Sequence, residues 1–120
     1  MVMGTDTLVA ILYNRLDLLE YAEKLVERLE LNEDDSVLKD LIHITNRLRV
    51  LRRKMSEESS KSDEGDDRDT LLEYYRFISV PREVELLTKI KLLLEERKLY
   101  PDEVMLLEDD IRTLTSIGKE

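Results

Sequence analysis

The chain has no cysteine, no tryptophan, one histidine, three glycines and two prolines in 120 residues. Without cysteine there is no disulfide, no zinc–thiolate site and no thiol nucleophile. Gly4, Gly65 and Gly118 stand far apart, so no glycine-rich loop can cradle a phosphate. The longest apolar run, Leu8 to Tyr13, falls well short of the ~20 residues of a membrane-spanning helix, and no membrane insertion by this chain is expected. The first residues carry neither a basic start nor a small-residue cleavage site, and Leu8 occupies the place where a myristoylation signal needs serine or threonine. The expected location is cytoplasmic or nuclear.

What is present is leucine, 23 of 120 residues, within a charged fraction of 39%. Strong helix formers dominate, and residues that favour strands or tight turns are scarce. The predicted fold is a single all-α domain over 1–120, an antiparallel bundle of about four to five helices. A first helix is expected over about Asp6–Leu31, with Leu8, Leu12, Leu19, Ala22, Val26 and Leu29 on one stripe. Val9, Ile11, Leu16, Leu18 and Leu25 widen that stripe, so this helix is either central in the bundle or covered by a partner. The polar break 32–36 is short, and a second helix to about Met55 folds back on the first to make a hairpin over 1–55.

Residues 56–69 carry seven acids and two bases, a net −5 of the total −9, with no apolar residue. Such a segment cannot offset its ordering entropy and is predicted to be a disordered acidic linker. Thr70 and Glu73 form a capping box for a short third helix through about Ile78. Pro81 and Pro101 then start a fourth helix, to about Leu99, and a fifth. Gly118 is placed to cap the last of them. Tyr74, Tyr75 and Phe77 are expected to plug the seam between the two halves of the chain.

No set of side chains assembles a nucleophile, a base and an orienting group, so an enzyme is not expected. His43 lies out of phase with Leu41 and Ile44 and reads as a solvated helix residue. The adjacent pairs Asp34–Asp35, Glu95–Glu96 and Asp109–Asp110 diverge by roughly 100° on a helix and do not make a paired acid–base site. With Gly65 at the sixth position of a calcium loop, Ser60 and Leu71 would fall where acids are required. No cofactor and no metal are expected. Ser60 and Ser62 precede acids in the pattern that acidophilic kinases prefer and are candidate phosphorylation sites; otherwise the segment is a plain tether.

Arg47, Arg49, Arg52, Arg53 and Lys54 crowd the end of the second helix. Cations there complement the helix dipole; they also offer a contact for an acidic partner or a phosphate. Nucleic acid is disfavoured by the net −9 and by the lack of interleaved aromatics. The expected function is a non-enzymatic protein–protein interaction module, with no small-molecule substrate. Its partners would be other proteins with helical docking faces, meeting Leu18 and Leu25 on the first helix, with Arg49, Arg52 and Arg53 at the rim. A subunit of another helical assembly, of the kinetochore or Mediator type, would have the same composition.

The run Leu12-Tyr-Asn-Arg-Leu-Asp-Leu-Leu-Glu-Tyr-Ala-Glu23, the restart Asp34-Asp35-Ser36 and the helix Leu38–Met55 resemble the N-terminal helical domains of SNARE proteins. The similarity is greatest to the endoplasmic-reticulum Q-SNARE that docks on the Dsl-type tethering complex. That resemblance implies a role in Golgi-to-ER vesicle transport: recruitment of a SNARE to its tether, at the ER membrane surface through the rest of a parent protein. The chain carries neither a SNARE heptad array nor a membrane tail, so it would be the regulatory head alone.

Overall fold

The structure, a computed structural model, describes residues 4–32, 36–60 and 66–119. It is helical over nearly all of these residues, with no strand among them. Helix α1 spans Gly4–Asn32 and α2 spans Ser36–Ser59; α3 spans Asp66–Tyr74, a π-helical turn covers Tyr75–Ser79, α4 spans Val80–Arg97 and α5 spans Pro101–Gly118. The segment from Asp66 to Arg97 is continuous, so the described residues form four helical rods in a bundle of 47 × 23 × 19 Å.

The leucine stripes do what their spacing predicts. Leu8, Leu12, Leu19, Ala22, Val26 and Leu29 of α1 are all buried, as are Leu38, Leu41, Leu48 and Met55 of α2. Leu87, Ile90 and Leu94 of α4, with Leu107 and Leu114 of α5, complete the core. Burial of a leucine contributes about 1.5–3 kcal/mol, so this stripe outweighs any surface contact described below. Helix α1 is central: it packs on α2, on α3 and on α4, while α5 packs on α4. Ile11 and Leu25, which widen its apolar face, are thus covered within the chain, while Val9, Leu16 and Leu18 stay partly exposed.

Three boundaries differ from the sequence reading. Thr70 does not cap a helix: α3 begins at Asp66 and Thr70 lies inside it. Helix α2 runs four residues past Met55, to Ser59. The stretch expected to be a disordered linker over 56–69 is therefore helical at both ends, while residues 61–65 lie outside the described residues. The two ends are pinned by Arg68, a buried guanidinium that donates to the carbonyl oxygen of Glu58.

The expected break at Ser79-Val80-Pro81 is also absent. A proline inside an α-helix lacks its N–H and its ring collides with the preceding turn. Here the turn before it is widened to π geometry, with the Val80 N–H donating to the carbonyl of Tyr75, and the helix passes through. The real break comes at 98–100. Lys98 and Tyr100 have φ of 56° and 49°, the left-handed region that glycine usually fills. The N–H of Lys98 reaches the carbonyl of Glu95 and that of Leu99 the carbonyl of Leu94, 3.1 Å each, closing α4 as a Schellman motif. Gly118 is the last residue of α5 and has no positive φ.

Arg82 of α4 clasps Glu23 of α1 through two hydrogen bonds of 2.6 and 2.8 Å. The Arg82 guanidinium holds the Glu23 carboxyl below the usual carboxylate range. A depressed carboxylate adds stability above its unfolded value and loses it as pH falls through the folded one. Both side chains are about one-third exposed, so solvent screening keeps the effect small. Glu23→Gln is expected to cost at most about 0.5 kcal/mol near neutral pH. The difference should vanish in acid, read from urea midpoints at the two pH values.

Candidate functional site: an arginine groove

A concavity of about 760 Å³ lies between the second half of α2, the π turn and α5. Arg49, Arg52 and Arg53 line it from α2, Arg76 from the π turn. Met55, Leu72, Tyr75 and Ile117 supply apolar surface, and Ser56, Ser59 and Thr113 supply hydroxyls. None of its lining residues is acidic, in a chain where 28 of 120 residues are.

Why the arginines sit there follows from where α2 ends. Because the helix continues to Ser59, its last turn holds no base. The dipole effect fades within that turn, so the arginines do not serve as C-terminal counter-charges. Two are fixed by a carboxylate from the other side of the groove. Asp110 of α5 accepts from Arg49 Nε at 2.6 Å and from Arg52 Nη2 at 3.2 Å. Arg49 is further held by Asn46 Oδ1. The side chains of Arg52 and Asp110 are 10% and 11% exposed. Their geometry is therefore set before any ligand arrives.

Arg53 is exposed and Arg76 half-buried, and neither has an ion pair among the described residues. Arg76 lies 5.8 Å from the centroid of the Phe77 ring. Beneath the groove, a second cluster fixes the π turn. Arg15, fully buried on α1, donates to Ser79 Oγ through Nε and Nη2 at 3.1 Å and ion-pairs with fully buried Glu83. Its guanidinium stands 4.9 Å from the Tyr75 centroid, within cation–π range. Burial pushes the Tyr75 phenol up, while the adjacent Arg15 charge pulls it down. This cluster is closed to solvent and acts on the groove through Tyr75.

The residues singled out from sequence are dispersed. Leu25 is a core residue at 2% exposure and Leu18 packs partly buried against the core. Leu25 is thus withdrawn as a docking residue, because α1 already spends that face on its neighbours within the chain. Arg49, Arg52 and Arg53 do come together, but in a groove wall shared with α5 rather than at the rim of α1. Ser60 is exposed just past α2, its hydroxyl donating to the Glu57 carbonyl; Ser62 lies outside the described residues. Of the expected aromatic plug only Tyr75 is buried; Tyr74 and Phe77 are 38% and 57% exposed. His43 is exposed.

Sequence reasoning missed Arg15, Arg76, Glu83 and Asp110. Three had a signal: Arg15 falls between Leu12 and Leu19, Glu83 between Val80 and Leu87, and Asp110 between Leu107 and Leu114, each at a core-facing step of its stripe. Arg76 had none.

Among the described residues, no helix is long and apolar enough to cross a membrane. No known family model, curated protein or solved structure matches this chain.

Proposed function

We propose that this chain is a non-enzymatic helical interaction module that receives an acidic segment of a partner protein in the arginine groove. One observation carries the reading: four arginines converge on a concavity with no acidic lining residue, within a protein of net charge −9. A local site of opposite sign to the whole surface gives orientation to an encounter and discriminates against basic partners. The apolar floor of Met55, Leu72 and Ile117 adds the desolvated contact that charges alone do not supply. A nucleic acid fits less well. Its long anionic backbone would meet the acidic remainder of the surface, and the Tyr75 ring is already engaged by Arg15.

A narrower form of the proposal is the N-terminal domain of a SNARE recruited to a vesicle tether in Golgi-to-ER transport. It rests on the resemblance of residues 12–23, 34–36 and 38–55.

The test is affinity purification with the wild type and Arg53→Glu/Arg76→Glu side by side. Neither residue makes an ion pair among the described residues, so the variant should melt within a few degrees of wild type. At least one protein should be retained by the wild type and lost by the variant, with retention weakening as salt is raised. Identical protein sets from the two baits would sink the reading. Tether subunits in the wild-type set would support the narrower form.

A further inference from the structure

Resting on the acidic-partner reading, we propose that the groove is built for a phosphorylated side chain on a peptide, with its phosphate seated between Arg53 of α2 and Arg76 of the π turn.

Charge comes first. The four arginines carry +4 and Asp110, the carboxylate bonded to two of them, carries −1, leaving +3 at the groove. A single carboxylate brings −1. A phosphomonoester brings roughly −1.5 to −2 near neutral pH and three acceptor oxygens. Two guanidinium forks lining one groove match such a multi-oxygen anion better than a planar carboxylate, which one fork already saturates. Arg53 and Arg76 are the two with no carboxylate partner among the described residues. Arg49 keeps Nη2 without a hydrogen-bond partner, and the hydroxyls of Ser56 and Thr113 stand on the lining.

The field of the whole protein then selects how that charge must be delivered. At −9, the surface outside the groove repels anything extended and anionic. A long acidic peptide would lay part of its charge on that surface. An anionic bilayer would face more of it still, and a flat membrane cannot enter a groove. A phosphorylated residue concentrates its charge at one point and leaves its neighbours free to be apolar. Met55, Leu72 and Ile117 provide apolar wall for one such neighbour, and a volume of about 760 Å³ accommodates several residues rather than a bare phosphate.

The experiment uses the full chain on an array of degenerate peptides. Each bears a central phosphoserine, phosphothreonine or phosphotyrosine and is paired with its unmodified and glutamate counterparts. Binders are then measured by fluorescence anisotropy. The phosphorylated form is expected to bind at least about tenfold tighter than the glutamate form. Arg53→Glu/Arg76→Glu should lose at least about tenfold, and the milder Arg53→Gln/Arg76→Gln should lose in the same direction, with circular dichroism confirming the fold of both. Arg112→Glu changes an exposed arginine of α5 that does not line the groove and should bind like the wild type. Three results overturn the inference: equal binding of phosphorylated and glutamate peptides, no phosphopeptide bound, or capture by phosphoinositide-containing vesicles in place of any peptide. If arginine-dependent partners are still recovered by purification, only the phosphate specificity falls. If none is recovered, the acidic-partner reading falls with it.

Discussion

Glu83→Ala is expected to lower the stability of this chain by about 3–5 kcal/mol. The variant strands the Arg15 guanidinium at 0% exposure without its carboxylate, leaving a charge that neither solvent nor another acid can reach. Among the described residues, Ser79 Oγ and the Tyr75 ring would remain against it. A loss of that size is a large share of the ~5–15 kcal/mol that holds a domain folded, so the variant should lie close to unfolding at ambient temperature. The companion Arg15→Met/Glu83→Leu removes both charges at similar volume. Among the described residues, Arg15 Nη1 and Glu83 Oε2 have no hydrogen-bond partner even in the intact pair, so the cluster is buried with part of its polar capacity unmet. The double variant should therefore match or exceed the wild type in stability. Urea denaturation of the three proteins decides it. If Glu83→Ala costs less than about 1 kcal/mol, the pair is not sealed from water as described.

The second expected result has two signs. Asp110→Asn should destabilise the fold by about 2 kcal/mol and, in the same protein, tighten the groove's hold on an anion. The stability loss follows because the carboxylate bridges Arg49 and Arg52 in a setting almost closed to water, where a charged hydrogen bond contributes about 1.5–3 kcal/mol. The affinity gain follows because the groove's charge rises from +3 to +4 when the negative partner of two lining arginines is neutralised. A unit charge about 7 Å from an anion is worth about 0.6 kcal/mol even in water, a factor of about three in affinity. A melting curve and a titration with a phosphorylated peptide, both on this variant, provide the check. A fall in both stability and affinity would mean that Asp110 matters chiefly for aiming the arginines.

These two variants involve residues whose place was legible in principle. Arg15, Glu83 and Asp110 interrupt leucine stripes at positions facing the core. Opposite charges on the core faces of different helices are a pairing signal. The stripes themselves fixed which faces of α1, α2, α4 and α5 are inward, because burial of so many leucines overrides every local preference. Boundaries were less legible. Pro81 reads as a break by its missing N–H, and only the tertiary demand that Ser79 and Glu83 meet Arg15 reveals why the helix passes through it. Thr70 and Glu73 satisfy a capping pattern but lie within a helix that starts one turn earlier. The groove was half visible: Arg49, Arg52 and Arg53 cluster in sequence, whereas Arg76 and Asp110 arrive from helices 20 and more residues away, brought there by packing alone.

The π turn gives the rod from Asp66 to Arg97 a property that residue identity does not describe. It adds one position to a periodic structure, shifting the phase of everything after it by roughly 100° relative to an uninterrupted α-helix. Tyr75 before the extra position and Glu83 after it can thus both face Arg15, and Arg82 can reach Glu23. This stretch is therefore specified by its count as much as by its chemistry. Substitutions among its outward residues leave the phase intact, whereas loss of a single codon between Tyr75 and Ser79 would turn every side chain of α4 to a different neighbour. In such a segment, natural sequences should be free to drift in spelling at the outward Phe77 and Ile78 but held to one length.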